Sequence, residues 1–210
     1  MVADLRCGEC GRTYAAAAGE PWRCECGHPL DYAERSLPDR SPPAPRALDR
    51  DLGLWSFQGF LPEAPLVTLG EGFTPLVDAD DWDAQFKLEY LFPTGSFKDR
   101  GATTTLSRAA ALGVEKVVED SSGNAGAAIA TYAARAGIDA DVYVPDDVKQ
   151  SKLVAIQRAG ARPVRVEGDR EAVAEACREA ADDEGVWYAS HAWNPAFFAG
   201  TATFAYEVAA

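Results

Sequence analysis

Two short stretches of this 210-residue chain carry residues able to do covalent chemistry. The first is FPTGSFKDRG, Phe92 to Gly101, in which Lys98 follows a Pro-Thr-Gly-Ser turn. The chain holds five lysines against fifteen arginines, so a lysine at this place stands out. The pattern predicts a strand at 86–90 and a helix from about Phe97 to Leu112, capped by Ser96 and stopped by Gly113. Lys98 then falls in the first turn, where the positive end of the helix dipole disfavours an ammonium. A lysine whose pKa falls can act as a nucleophile and form an imine, which a permanently protonated arginine cannot do. The plain alternative is a surface lysine paired with Asp99 or Asp120. The second stretch is DSSGNAG, Asp120 to Gly126, between a predicted strand and a predicted helix. Hydroxyls, an amide and the free N–H groups of a helix start make an anion site. An ordinary Ser/Asn cap without a ligand is the alternative.

A third group is metal-ligand chemistry. Cys7, Cys10, Cys24 and Cys26 form a C-x-x-C and a C-x-C pair on two turns. Two thiolate pairs can close a tetrahedron around Zn²⁺, and four sulfurs leave no open position for catalysis. The expectation is a structural zinc ribbon over 1–35, with mutual disulfides as the alternative. His28 is read as a surface or neighbouring residue, not a ligand. The fifth cysteine, Cys177, lies on the apolar face of a helical pattern and reads as a small buried thiol.

The elements that must position these groups follow in order. Residues 36–62 read as a linker and packing segment: Pro-rich to about 50, then the aromatic LGLWSFQGFLP, which should pack on the body. From 63 to 210 short β-type runs (EKVVED, ADVYVP, RPVRVEG, VWYAS) alternate with helical runs that end at glycines. That alternation predicts βαβ units, a mainly parallel sheet and a three-layer α/β/α architecture. In such sheets ligands bind beyond the C-terminal ends of the strands, where both loops fall.

The formal net charge is −13, which disfavours nucleic acid and anionic membranes as partners. The ribbon itself has no excess of basic residues. No run of 18 apolar residues exists, and MVADLRCGEC lacks the layout of a secretory signal. The expectation is a cytoplasmic protein. Abundant Asp with scarce Lys resembles the composition of proteins from salt-loving organisms.

PTGSFKDRG followed by SSGNAG resembles the fold type II, or β-family, of pyridoxal-phosphate (PLP) enzymes. LGEGFTPLV before them and NPAFFAGTATFAYE after them stand in matching order, over residues 66 to 210. With a zinc-ribbon start, the chain is most similar to the threonine synthases within that family. Phe92 departs from the Asn that often precedes Pro-Thr-Gly there. The resemblance implies that Lys98 forms the Schiff base with PLP and that Asn124 hydrogen-bonds the cofactor's 3′-oxygen. It implies that Ser121, Ser122, Gly123 and Ala125 surround a substrate carboxylate, and that Phe97 and Asp99 flank and orient the lysine. The implied reaction converts O-phospho-L-homoserine and water to L-threonine and phosphate. A serine/threonine dehydratase-like activity, or a non-catalytic remnant that binds a partner, remains open.

The family's glycine-rich loop for the PLP phosphate and its pyridine-nitrogen partner come later in the chain. No such run follows Lys98, so the sequence is expected to represent an N-terminal part. It would form a homodimer or associate with a C-terminal half.

Overall fold

The computed structural model describes residues 2–34 and 45–210. The Pro-rich part of the expected linker, 36–44, lies outside the described residues. Three short strands open the chain: β1 (Leu5–Cys7), β2 (Thr13–Tyr14) and β3 (Leu30–Tyr32). They pair antiparallel in the order β2-β1-β3. Leu5, Leu30 and Tyr32 bury their side chains in a small core shared with Leu54 and Trp55. Those two belong to a 3₁₀ segment, Arg50–Phe60, so the aromatic stretch packs on the body as its composition predicts.

The ribbon is anchored by Arg108, which is fully buried. Its guanidinium donates to Glu20 (2.8 and 2.6 Å), to Glu63 (3.4 Å) and to the Ala3 carbonyl (3.0 Å). A buried guanidinium requires this many acceptors, because desolvating the charge alone costs several kcal/mol.

β4 (Leu76–Ala79) and β5 (Ala84–Lys87) form an antiparallel hairpin. The predicted strand at 86–90 is therefore displaced: β5 ends at Lys87, and Glu89–Leu91 is a 3₁₀ turn. Antiparallel pairing with 76–79 fixes that earlier register, a long-range term absent from the local pattern.

The main sheet has four strands: β6 (Lys116–Glu119), β7 (Asp139–Pro145), β8 (Arg162–Val166) and β9 (Val186–Tyr188). Their order is β8-β7-β6-β9 and every pairing is parallel. The helices are α1 (Lys98–Leu112), α2 (Asn124–Ala136), α3 (Gln150–Arg158), α4 (Arg170–Ala181) and α5 (Pro195–Ala209). Side chains alternate across the strands. Val117, Val142, Val144 and Trp187 join residues of α1, α2 and α3 in the large core. Val118, Tyr143 and Tyr188 turn the other way onto Cys177 of α4. Helices thus cover both faces, as the strand–helix alternation predicts. Each fully buried aliphatic side chain, Leu106 or Ile129 for example, contributes about 1.5–3 kcal/mol relative to exposure.

The caps follow from local chemistry. Gly113 and Gly137 stop α1 and α2 at φ 74° and 72°, a conformation that other residues adopt only with strain. Asn194 caps α5, accepting from the Ala196 N–H at 3.0 Å, with Pro195 in the first turn. α5 returns across α1 at its start. A Cβ on Gly101 would lie 2.4 Å from the Phe197 ring, and one on Gly200 would lie 2.0 Å from the Arg100 carbonyl. Two glycines, one on each helix, therefore set how closely α5 approaches the lysine-bearing turn.

Candidate active site

Lys98 is the first residue of α1; the cap position is Phe97, without a side-chain cap, rather than the expected Ser96, whose Oγ accepts from the Lys98 N–H at 3.3 Å. The expected partners of its ammonium are engaged elsewhere. Asp99 is fully buried and turns back to accept from the Thr94 N–H at 2.9 Å and from the Thr94 hydroxyl. Asp120 pairs with Arg170 at 2.6 Å. The lysines that pair with carboxylates are Lys87 and Lys116. Lys98 instead sets its Nζ 4.6 Å from the centre of the Phe97 ring and 5.7 Å from that of Phe197. Phe97 thus touches the lysine as expected, whereas Asp99 acts on the preceding turn.

Beneath that turn lies a buried network. Tyr132 of α2 donates to Glu71 Oε2 at 2.9 Å and lies 3.4 Å from Asp99 Oδ2. Glu71 also accepts from the Trp55 indole at 3.1 Å and from the Leu69 N–H at 2.8 Å. Burial raises the Asp99 carboxyl above its ordinary range, against the Thr94 hydrogen bonds that favour its charge. Burial also pushes the Tyr132 hydroxyl up, so it stays a donor between two carboxyl groups. The effect is to fix the Pro-Thr-Gly turn, and hence the start of α1, against α2.

The second loop leaves the C-terminal end of β6 and enters α2. Ser121 Oγ accepts from the Gly123 N–H at 3.2 Å, holding the turn. Asn124 is the exposed first residue of α2 and Ala125 is buried behind it. Ser121, Ser122 and Gly123 are half-buried. Space is open over Gly123, where a Cβ would have its nearest neighbour 3.7 Å away. At Gly126 a Cβ would lie 1.8 Å from the Ser121 carbonyl, so only glycine lets this loop fold onto its own helix. The first N–H groups of an α-helix have no intrahelical acceptors and so remain available to an anion.

A pair not foreseen in the sequence stands next to this loop. Glu119, at the end of β6, is fully buried, and its Oε1 lies 2.6 Å from His191 Nδ1. Its other oxygen accepts from the His191 N–H at 3.3 Å. The hydrogen bond to Glu119 raises the His191 pKa, against burial and against the positive charge of Lys98. His191 and Phe197 rings lie 6.1 Å apart, so the histidine and Lys98 flank one phenyl ring. One signal was available: His191 is one of two histidines, in a loop after a strand at the ligand end of the sheet.

Away from this site the four cysteines Cys7, Cys10, Cys24 and Cys26 gather with all sulfurs within 4.8 Å of one another. None is in a disulfide; the closest approaches are Cys10 to Cys24 at 3.4 Å and Cys7 to Cys26 at 3.6 Å. A tetrahedron with bonds of about 2.3 Å needs sulfurs about 3.8 Å apart, so the cluster fits a metal of zinc's size. The Tyr14 hydroxyl donates to Cys24 at 3.2 Å and lowers its thiol pKa to about 6. His28 lies 3.5 Å from Cys26 Sγ, beside the cluster. Cys177 is fully buried and burial raises its pKa, as expected of an inert core thiol. A cleft of about 700 Å³ opens between the ribbon and the α4–β9 edge, lined by Trp22, Asp182 and Tyr188, remote from Lys98. Among the described residues no helix is long and apolar enough to cross a membrane.

Comparison with known proteins gives a consistent picture. The model of the family described as pyridoxal-phosphate dependent enzyme matches residues 67–210. Threonine synthase of Methanocaldococcus jannaschii is 32% identical over 216 aligned residues, covering 97% of this chain and 53% of that protein. Threonine synthase of Mycobacterium tuberculosis is 38% identical over 149 residues, covering 68% and 41%. Among solved structures, a PLP-dependent aspartate racemase superposes with a TM-score of 0.60 at 33% identity, covering 64% of this chain and 45% of the other. Cysteine synthase from Entamoeba histolytica shares the fold, with a TM-score of 0.61 at 23% identity, over 65% and 46%. The chain spans about half the length of the curated relatives it matches. Its lysine-bearing helix start, its SSGN loop and its parallel sheet all lie within the matched region, and the chain belongs to the pyridoxal-phosphate dependent enzymes of fold type II.

Proposed function

We propose that this chain is the lysine-bearing half of a threonine synthase-type enzyme, which converts O-phospho-L-homoserine and water to L-threonine and phosphate. The observation that carries the reading is Lys98, an amine at a helix start with aromatic neighbours and no carboxylate partner among the described residues. PLP, when bound, supplies an electron sink for the carbanion formed at the substrate's α-carbon. Lys98 would hold the cofactor and, once released, take up the α-proton at its Nζ. Asn124 would meet the cofactor ring. The hydroxyls of Ser121 and Ser122 and the N–H groups of Gly123 and Ala125 would hold the substrate carboxylate, as a helix start does for anions. Phe97 and Phe197 set their rings beside the amine.

The Cys7, Cys10, Cys24 and Cys26 cluster is assigned to a structural Zn²⁺. Five free thiols suit a reducing compartment, so a cytoplasmic location is proposed. The β4–β5 hairpin leaves Leu76, Val77, Phe86 and Trp82 exposed by 40–73%, with Tyr90 and Leu91 beside it. A two-stranded hairpin with apolar side chains in water is marginal by itself. We assign its cover to polypeptide equivalent to the remaining length of the relatives, and full turnover to the assembly of both.

Borohydride reduction in the presence of PLP, followed by peptide mapping, tests the reading. Label is expected on Lys98 and not on Lys87, Lys116, Lys149 or Lys152. Label on another lysine, or none at saturating PLP, overturns it.

A further inference from the structure

His191 and Glu119 are not needed to hold PLP or the substrate carboxylate, yet they occupy the ligand end of the sheet. Glu119 closes β6 one residue before the Asp120–Gly126 loop, and His191 follows β9, the neighbouring strand. Both Glu119 oxygens are used on His191, one at the ring and one at the backbone. This fixes the ring: Nδ1 faces the buried carboxylate, and Nε2, which has no partner among the described residues, points outward from it. The side chain is 24% exposed, open enough for a ligand to reach. The groups that bear on its charge are Glu119 and Asp120 from β6 and its loop, and Lys98 from α1. Arg170 of α4 answers one oxygen of Asp120, while the other, Oδ1, is buried without a partner. A buried carboxylate that holds one imidazole nitrogen stabilises the imidazolium and presents the opposite N–H to a reacting atom.

We propose that His191, oriented by Glu119, is the proton donor to the phosphate leaving group. The inference rests on the threonine synthase-type reading. As the bond between the substrate γ-carbon and the phosphate oxygen breaks, its electron pair stays on that oxygen, while the β-C–H pair closes the Cβ–Cγ double bond; the β-proton goes to Lys98 Nζ, which returns a proton to the γ-carbon before water adds. The Nε2 proton of His191 passes to the same oxygen and leaves a neutral imidazole with its Nδ1–H still on Glu119. When water bonds to the β-carbon, its proton returns to Nε2 and the imidazolium is restored. Lys98 handles the carbon-bound protons and His191 the oxygen-bound ones, so the two bases divide the work across the Phe197 ring.

The chain has two histidines, which makes a direct test simple. In protein labelled with ¹⁵N-histidine, inorganic phosphate should shift the His191 Nε2 resonance saturably and raise its pKa. His28 serves as the internal control and should not move. Glu119→Gln should lower the His191 pKa and weaken the response to phosphate at least several-fold. This arm needs neither PLP nor turnover. In the assembly that releases phosphate, His191→Gln should cut kcat by a hundredfold or more. Wild-type kcat should fall as pH rises through the His191 pKa, and that limb should vanish in His191→Gln and move to lower pH in Glu119→Gln. KM and the borohydride label on Lys98 should be unchanged. A His191 ring indifferent to phosphate, or a His191→Gln enzyme that keeps the rate and the alkaline limb, overturns the proposal. Failure of Lys98 to take the label overturns the PLP reading instead, so the two failures are distinguishable.

Discussion

The guanidinium of Arg100 meets the carboxylate of Glu207 through two hydrogen bonds, of 2.6 and 2.9 Å, with both side chains essentially sealed from solvent. Glu89 takes the other edge of the guanidinium at 2.7 and 2.9 Å, and Lys87 pairs with Glu207 at 2.8 Å. The network ties α5, β5 and the 3₁₀ turn at Glu89 to the start of α1, beside Lys98.

Arg100→Ala should therefore be among the most damaging substitutions. It leaves Glu207 and Glu89 facing each other with only Lys87 to balance them, and removing one partner of a buried ion pair costs about 3–5 kcal/mol. Denaturant melts should show a loss of that size. A loss below about 1 kcal/mol would mean that the network is loosely packed or hydrated.

The same network sets a pH dependence. Burial opposes ionisation of Glu207, but the hydrogen bonds and charge of Arg100 outweigh it, and its folded-state pKa lies below the ordinary carboxylate value. A group depressed on folding adds stability above its unfolded pKa, near 4.5, and loses it as pH falls through the folded one. Melting temperature should drop on acidification below about pH 4.5. In Glu207→Gln the protein should be less stable at pH 7, and the acid-linked drop should shrink. An undiminished drop in the variant would assign it to other carboxylates, such as Asp141, also depressed through Arg162 and Lys116 against the effect of burial.

The loop before α2 gives a sharper steric test. Gly126→Ala places a Cβ 1.8 Å from the Ser121 carbonyl, a backbone atom that cannot swing aside, and 3.0 Å from Val142 Cγ1. Loss of PLP labelling at Lys98 is expected together with about 1–3 kcal/mol of destabilisation, the usual range for overpacking. Gly113→Ala, with open space but φ of 74°, should cost only about 1 kcal/mol and leave labelling intact. Equal effects on labelling would refute the steric account of the loop.

How much of this was legible beforehand depends on whether the signal was local. The helix of Lys98, its Gly113 stop and the SSGN loop are written in neighbouring residues, and the structure places them as read, with the cap position at Phe97 rather than Ser96. The parallel sheet follows from strand–helix alternation alone. What was not legible is what distant residues do to each other. Asp99 looked like a partner for Lys98 and proved to hold Thr94, because Tyr132, 33 positions away, closes the pocket around it. Nothing in the residues around Arg100 and Arg108 marks them as buried. Their acceptors lie up to 107 and 105 residues away, and only the fold shows that both are buried. His191 and Glu119, 72 positions apart, meet because β9 pairs with β6.

The last prediction concerns the ribbon. Its core is small, and the strands β1 to β3 have two or three residues each, so burial alone supplies little stability. Four thiols within 4.8 Å of one another need a reason to stay there, since thiolates repel and thiols hydrogen-bond weakly. The proposed Zn²⁺ would supply it, and its binding free energy would become folding free energy. Protein purified without chelator should contain about one Zn²⁺ per chain, with Zn–S distances near 2.3 Å by X-ray absorption. Its removal should loosen the ribbon first. The Arg108 pairs with Glu20 and Glu63 and the Trp22 edge contacts with Tyr188 and Trp193 would follow. The readout is tryptophan fluorescence together with hydrogen exchange, which should rise in 2–34 and then around Arg108 while the α2 core stays protected. Cys24→Ser should reproduce the effect of chelation, because its sulfur is one of the two buried ones and accepts a hydrogen bond from Tyr14. Metal-free protein with these four cysteines joined in disulfides and full protection of 2–34 would exclude the zinc assignment.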